Sequence, residues 1–351
     1  MPGGISTVSA APTDAVWFSP VGGSPDILDL FAKPDLWSTA RSHVNVFKFE
    51  PFQVDAKKSD SPTAYQSLKG LDAFGKLKKW AIDIAIEVPA VKEWDCSGRG
   101  DTKDQRVRGD AKATTLGYVR NVYDAGGKVK FLAMDEPLVN GLGACKGSLE
   151  ETAEKTAYYA KAILKYRDVK TWAPSLAIGD IEPYPSRSVA QLKQWTKALE
   201  SNGFKPSFFH LDVDVNDVDV RGPKLDMAGE LRDLKAFFKG EGIPFGVIFW
   251  SGHDPESTDA AYYNHTMSWV NRVHAAIGKP EQSIFQSWVR RSSINCTGTV
   301  SCSAKNNFMC SPADPPYCGR GSMPINLPDN NPKVFSHTRL INDGLAVLGP
   351  G

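Results

Sequence analysis

The sequence lacks several features that would assign a function class directly. No apolar run approaches the ~20 residues that a membrane-spanning helix needs. The 41 Lys and Arg residues nearly balance the 40 Asp and Glu residues, leaving a formal net charge of +1. This balance argues against nucleic acid or an anionic membrane surface as the main partner, because both select a concentrated basic surface. A glycine-rich phosphate loop, an H-E-x-x-H motif and a G-x-S-x-G motif are also missing, so nucleotide binding, zinc proteolysis and serine hydrolysis have no support.

Short apolar runs recur along the chain, separated by helix-sized segments, and nearly every run ends in an acid or a tryptophan. Strands that alternate with helices predict a (β/α)8 TIM barrel, whose active site lies at the C-terminal ends of its strands. One such barrel with loop insertions accounts for 351 residues without a second core, with residues 1–13 as a disordered lead-in and residues 14–351 as the barrel. The eight runs are Ala15–Pro20, Val44–Glu50, Trp80–Pro89, Lys128–Pro137, Ser175–Pro185, Ser207–Val215, Phe245–Gly252 and Ser283–Val289.

Helices are predicted from amphipathic spacing and capping signals in the segments between the runs. The segment between the eighth run and the last helix, residues 290–334, shows no periodicity, and a loop of this length inside a compact domain is usually functional or cross-linked. We therefore expect a long loop after strand eight, held by disulfides beside the site. The predicted helices are Asp26–Ala40, Ser148–Tyr166, Ser188–Asn202, Leu225–Lys239, Ala260–Ile277 and Lys333–Leu348.

Cysteine is scarce, and no two of the six cysteines form a C-x-x-C pair, which argues against a zinc ribbon or a redox motif. An even count placed in loops predicts disulfides and export to the periplasm or the extracellular space, with free thiols in a cytosolic enzyme as the alternative. The first residues show no charged-then-apolar leader, so an exported protein would be represented here in its mature form. We expect Cys96 to pair with Cys145, and Cys296, Cys302, Cys310 and Cys318 to form two bridges in any of three connectivities.

The alternation of polar and apolar residues within each run predicts which side chains point into the barrel. In the sixth run, Phe209, Leu211 and Val213 form an apolar face that the helices would cover. Inward charges on several strands are costly unless they are paired or used, and this cost is the reason to expect an enzyme. The acids and the histidine predicted to point inward are Glu87, Glu136, Asp180, Glu182, His210, Asp212 and Asp214, with Asp135 pointing the other way.

The segment Met134-Asp135-Glu136-Pro137, which ends the fourth run, resembles the Asn-Glu-Pro motif of the clan A glycoside hydrolases. The resemblance implies a TIM barrel with Glu136 as the general acid/base, and Asp135 stands where the clan usually has Asn. The clan carries its nucleophilic Glu at the end of strand seven. Here that strand reads Phe245-Gly-Val-Ile-Phe-Trp-Ser-Gly252 and contains no acid. The retaining pair of the clan is therefore absent from this chain.

A second carboxylate has to come from elsewhere, since glycoside cleavage needs one protonated carboxyl and one ionised carboxylate. Glu182 is the leading candidate for the base or nucleophile, and Asp180 would raise the pKa of a neighbouring carboxyl by like-charge repulsion. Asp180 or Asp212 is the fallback base. The sequence thus predicts hydrolysis of a glycosidic bond in an oligo- or polysaccharide, with inversion slightly favoured and without a cofactor. Oligomeric state is left open.

Aromatic and polar residues at the ends of the runs are the expected substrate contacts, because aromatic faces stack on the C–H surface of sugars. Two alternatives remain open: a metal-dependent sugar isomerase or hydrolase that faintly resembles the xylose-isomerase-like barrels, and a non-catalytic carbohydrate-binding barrel. The predicted substrate-binding residues are Trp17, Lys48, Glu50, Glu87, Asp135, Tyr184, His210, Asp214, Trp250 and Trp288.

Overall fold

Eight parallel strands close into a barrel in chain order, with the last strand hydrogen-bonded to the first. The computed structural model describes residues 12–20, 24–58, 64–90, 111–143, 145–290 and 322–349. The predicted (β/α)8 fold is therefore confirmed, and every strand lies in one of the predicted runs or within a residue of it. The strands are β1 (Ala15–Ser19), β2 (Val46–Phe49), β3 (Asp83–Val88), β4 (Val129–Asp135), β5 (Ala177–Tyr184), β6 (Phe209–Val213), β7 (Phe245–Phe249) and β8 (Gln282–Gln286).

Helices surround the barrel over the described residues. The predicted single helix Asp26–Ala40 is wrong, because the segment is divided into short helical turns around Pro34. Proline has no N–H to continue a helix and disfavours helical dihedrals at the preceding Lys33, whose φ and ψ are −130° and 58°. The α-helices are α1 (Asp29–Ala32), α2 (Ser38–His43), α3 (Pro51–Val54), α4 (Tyr65–Gly70), α5 (Ala73–Lys79), α6 (Ala111–Asp124), α7 (Pro137–Gly143), α8 (Leu149–Leu164), α9 (Val169–Trp172), α10 (Val189–Ser201), α11 (Val215–Arg221), α12 (Met227–Glu241), α13 (Asp259–Ile277) and α14 (His337–Leu348).

The outer faces of the strands pack against the helices through large apolar side chains. Phe209 of β6 stacks on Phe238 of α12 with ring centroids 4.2 Å apart. Phe18 of β1 packs against Trp37 and against His337 at the start of α14. Strands buried on both faces need near-continuous hydrophobic sequences, which explains why the runs are so apolar.

The lower part of the barrel interior is filled by aromatic rings. Trp17 contacts Phe131, Phe208 and His210 with centroid separations of 4.7–5.0 Å. A Cβ atom on the inward-facing Gly179 would lie 2.3 Å from the Phe208 ring, so only glycine fits at that position. This packing closes the barrel below and leaves its C-terminal mouth as the place where polar side chains can gather.

Part of the disulfide prediction lies outside the described residues. Cys145 is disulfide-bonded, but Cys96, Cys296, Cys302, Cys310 and Cys318 are not among the described residues. The pairing of Cys96 with Cys145, the disulfide-held loop after β8 and the export inferred from them remain predictions. In the described part of the chain, no helix has the length and apolar character needed to cross a bilayer.

Candidate active site

The C-terminal mouth of the barrel carries carboxyl groups from four strands. Glu50 follows β2, Glu87 lies on β3, Asp135 ends β4 and Asp212 lies on β6. The charges of Glu87 and Asp135 raise the pKa of Glu50 and the pKa of Asp212. The predicted inward direction of Glu87 and Asp212 is thus supported, and the mouth is an acidic site of the kind expected for acid–base chemistry.

Lys48 is the buried cation at this mouth. Its Nζ donates to Glu87 Oε2 and to Gln286 Oε1, each at 2.5 Å. Gln286 Nε2 in turn donates to the same Glu87 oxygen at 3.1 Å. Because β2, β3 and β8 each contribute one partner, the network links three strands and fixes the Glu87 carboxylate in place. Gln286 was missed in the sequence, where an uncharged residue between hydrophobic neighbours gives little signal.

Asp212 is the carboxyl with the clearest chemical signature. Trp250 Nε1, just after β7, donates to Asp212 Oδ1 at 2.9 Å. Burial raises the pKa of Asp212 well above its ordinary range, and the nearby charges of Glu136 and then Asp135 raise it further. The direction of this shift favours the protonated form of Asp212. Because the indole N–H is directed at Oδ1, the protonated form of this carboxyl would carry its proton on Oδ2.

Glu136 follows β4 in a left-handed turn with φ of 51°. The predicted outward direction of Asp135 is wrong. Phe131 faces the barrel interior, so Ala133 and Asp135 of the same strand face inward with it. The turn at Glu136 breaks this pattern, and Glu136 is the charge that acts most strongly on Asp212. Both acids of the Asp-Glu-Pro segment thus act on the mouth.

Glu50 is a second carboxyl whose protonation is displaced toward neutral pH. Burial, followed by the charge of Glu87, raises the pKa of Glu50 to about 8, although Lys48 acts in the opposite direction. The backbone N–H of Glu50 donates to Gln53 Oε1 at 2.8 Å, which holds the start of α3 beside the mouth. Glu50 and Asp212, the two carboxyls of the mouth whose pKa values are raised, lie on different sides of the acidic site, after β2 and on β6.

Two indoles form an aromatic surface at the same mouth. The rings of Trp250 and Trp288 lie 4.8 Å apart at an interplanar angle of 42°. Trp250 is 7% exposed and hydrogen-bonded to Asp212, whereas Trp288 is 37% exposed. An exposed indole packed against a buried one beside the Asp212 carboxyl is suited to stack on a sugar ring.

The predicted inward direction of Asp180 and Glu182 is wrong. Asp180 Oδ2 accepts a hydrogen bond from Trp195 Nε1 of α10 at 2.7 Å, and Glu182 Oε1 accepts from the backbone N–H of Leu138 in α7 at 2.6 Å. Both acids are fully buried on the outer, helix-facing side of β5. The inward positions of that strand are Gly179, Ile181 and Pro183 by alternation. The acidic side chains of this strand therefore bond to the surrounding helices.

Four of the predicted substrate-binding residues also lie away from the mouth. Trp17 and His210 are fully buried in the lower barrel, where burial lowers the pKa of His210 to about 3. Tyr184 points toward the helices and donates its hydroxyl to Glu230 Oε2 at 2.6 Å. Asp214 is exposed and caps α11 by accepting from Asp217 N at 2.9 Å. Packing, hydrogen bonding to the helix shell or helix capping explains each of these four side chains. The alternation of polar and apolar residues shows neither how deep a side chain lies in the barrel nor whether it caps a helix.

No group of three or more His, Cys, Asp or Glu side chains is arranged to hold a metal ion within the described ranges. No protein-family model and no curated protein matches this sequence.

Several solved structures are similar in fold. A glucosidase from Croceicoccus marinus shares 14% identity at a TM-score of 0.45, covering 84% of this chain, and this chain spans 63% of the glucosidase. A psychrophilic family 10 endo-β-1,4-xylanase shares 10% identity at a TM-score of 0.45, covering 78% of this chain and 86% of the xylanase. A putative lyase/mutase from Burkholderia cenocepacia J2315 shares 9% at 0.40, covering 79% of this chain and 78% of that protein. Similarities this low carry no argument about function, which rests on the site.

Proposed function

We propose that this protein is a glycoside hydrolase that cleaves a glycosidic bond of an oligo- or polysaccharide at the C-terminal mouth of the barrel. The observation that carries the proposal is the position of Asp212, a carboxyl bonded to Trp250 beside the Trp250–Trp288 surface, whose pKa is raised by burial and by the charge of Glu136. A pair of carboxyls whose environments separate their pKa values is the arrangement that divides acid and base roles.

Asp212 is assigned the role of general acid, and Glu136 that of its carboxylate partner. The sequence had suggested the reverse for Glu136, but the raised pKa of Asp212 favours the proton on Asp212. In the proposed step, Asp212 Oδ2 gives its proton to the glycosidic oxygen as the bond to the anomeric carbon breaks. Glu136 takes a proton from the water whose oxygen bonds to that carbon, which inverts the anomeric centre.

The remaining groups of the mouth hold the sugar and the carboxylates. Lys48 and Gln286 fix Glu87 through bonds of 2.5–3.1 Å, which leaves a charged acceptor oriented for sugar hydroxyls. Trp288 offers its exposed face to the apolar side of a sugar ring. Positioning of this kind lowers the barrier because the reacting groups need little rearrangement.

The test is reducing-end release from a panel of bacterial polysaccharides, oligosaccharides and aryl glycosides, with wild type, Glu136→Gln and the control Glu150→Gln. Glu150 is an exposed residue in the first turn of α8. We expect wild type and Glu150→Gln to cleave at least one glycan equally, and Glu136→Gln to lose ~10²–10⁴-fold in rate.

Three outcomes would overturn the proposal. Near-normal turnover by Glu136→Gln would remove Glu136 from the mechanism. Glycan binding without turnover by wild type would indicate a non-catalytic carbohydrate-binding barrel. Loss of activity on chelation, with recovery on adding a divalent metal, would indicate the metal-dependent class.

A further inference from the structure

Asp180 and Glu182 form a buried pair of carboxyls behind the barrel wall, and the proposed mechanism does not use them. Glu182 Oε1 is bonded by the backbone N–H of Leu138, and the N–H of Val139 also bonds to this carboxyl group. Asp180, two residues earlier on the same face of β5, accepts from Trp195. The pair thus attaches to α7 on one side and to α10 on the other.

The helix that Glu182 holds begins directly after the proposed catalytic Glu136. Glu136 adopts φ of 51°, a left-handed conformation that is unfavourable for a residue other than glycine. Its N–H donates to Ile181 O of β5 at 3.0 Å, and its carbonyl accepts from Asn140 N at 3.0 Å. The end of β5 therefore bonds the chain on both sides of the turn, through Ile181 before it and through Glu182 after it.

We propose that Glu182 is a positioning residue that holds Glu136 over the mouth of the barrel by accepting the backbone N–H groups at the start of α7. The inference rests on the proposed function, because that function requires Glu136 to be held facing the anomeric carbon of the substrate. Without the bonds to Leu138 and Val139, the first turn of α7 has no side-chain acceptor from β5 and the strained turn at Glu136 is free to relax.

The protonation of the pair fits this role. Asp180 Oδ1 and Glu182 Oε2 are buried and find no hydrogen-bond partner among the described residues. Burial raises the pKa of Asp180 to about 8 and that of Glu182 well above its ordinary range, and the charge of Asp180 adds to the effect on Glu182. A neutral carboxyl still presents a carbonyl oxygen to Leu138, so Glu182 can position α7 without burying a charge.

Replacing Glu182 by glutamine and by leucine separates a positioning role from a catalytic one. Glutamine keeps the acceptor oxygen of Glu182 and its size but cannot titrate, whereas leucine removes the acceptor. We expect Glu182→Gln to keep kcat within about threefold of wild type, because the amide oxygen of glutamine can still accept the N–H of Leu138. Glu182→Leu should lower kcat by about 10²-fold with KM little changed, the loss typical of a displaced reacting group.

The pH dependence of kcat/KM would change in Glu182→Gln if Glu182 took part in proton transfer. Both limbs of kcat/KM should stay where they are in Glu182→Gln. If Glu182→Gln is as inactive as Glu182→Leu, or if a limb disappears, Glu182 itself takes part in proton transfer and the proposal is overturned. Wild-type activity in Glu182→Leu would overturn it as well.

A measurement without turnover keeps the inference separate from the proposed function. Amide hydrogen exchange should become at least ~10-fold faster at Glu136, Leu138 and Val139 in Glu182→Leu, and should be unchanged in Glu182→Gln. Leu192 of α10, bonded to Ser188 O at 3.0 Å, is the internal control. Unchanged exchange in Glu182→Leu contradicts the positioning contact even if no substrate is found. If Glu182→Leu does not fold, increased exchange or lost activity in Glu182→Gln overturns the proposal, and wild-type behaviour supports it.

Discussion

Replacing Asp212 by asparagine is the most informative single change, because it removes the proton and leaves the shape of the side chain. The introduced amide would keep an oxygen for Trp250 Nε1, which now donates to Asp212 Oδ1 at 2.9 Å. General acid–base catalysis contributes typically ~10²–10⁴-fold in rate, or about 3–5 kcal/mol of barrier at 1.36 kcal/mol per tenfold. We expect kcat on a natural glycan to fall by this factor in Asp212→Asn.

The leaving group provides the internal check on this reasoning. An aryl glycoside with an acidic phenol departs without a proton, so its hydrolysis should lose much less than that of the natural glycan. The alkaline limb of the wild-type kcat/KM profile should report the ionisation of Asp212, whose pKa is raised by burial and by Glu136, and this limb should be missing in Asp212→Asn.

Asp214→Asn is the matched control for Asp212→Asn. Asp214 lies on the same chain segment, but it is exposed and caps α11 through Asp217. Asparagine is nearly as good an N-cap as aspartate, so activity and stability should both stay near wild type. Equal losses on activated and natural substrates in Asp212→Asn, or no loss on either, would refute the assignment of Asp212 as the acid.

Three further changes test the rest of the mouth. Trp288→Ala should weaken oligosaccharide binding by about 1 kcal/mol, roughly fivefold in Kd, measured by calorimetry; unchanged affinity would make the indole packing only. Lys48→Met leaves Glu87 without its cation and should cost about 3 kcal/mol in urea unfolding. Lys130→Met breaks the partly exposed pair with Asp83 and should cost under about 1 kcal/mol; equal costs in the two variants would contradict the network. Glu50→Gln should flatten the fall in Tm between pH 5 and 9. The pKa of Glu50 is about 8 in the folded protein against 4.5 in the unfolded chain, so this group stabilises the folded state at low pH and the stabilisation is lost as the pH rises to 8. An unchanged slope of Tm against pH would contradict the shift.

The barrel was predictable from the sequence because its signal is repeated in every unit. Each strand is an apolar run with β-branched or aromatic residues, and each is followed by a segment of helical length. The failure at Pro34 has a local cause, a proline within otherwise amphipathic spacing. The inward direction of Glu87 and of Asp212 followed from alternation alone, since their neighbours on the same strands are apolar and cover the helix-facing side.

The site was only partly predictable, because polar side chains on a barrel strand do not always point inward. Asp180 and Glu182 have partners in the helix shell, Trp195 Nε1 and Leu138 N, that no local pattern reveals. The direction of Glu136 depends on a left-handed turn that a glutamate rarely adopts. Contacts between distant strands, such as the bond from Lys48 to Gln286, follow from barrel closure.

The central claim is that Glu136 and Asp212 act on the same glycosidic bond. The most direct measurement is the rate of reducing-end release on one natural glycan by wild type, Glu136→Gln, Asp212→Asn and the double variant. Residues that act as a unit show strongly non-additive effects. We expect each single variant to lose ~10²-fold or more in rate, and the double variant to be hardly slower than the slower single variant. Independent losses that multiply in the double variant, or a single variant with near-normal turnover, would contradict the claim.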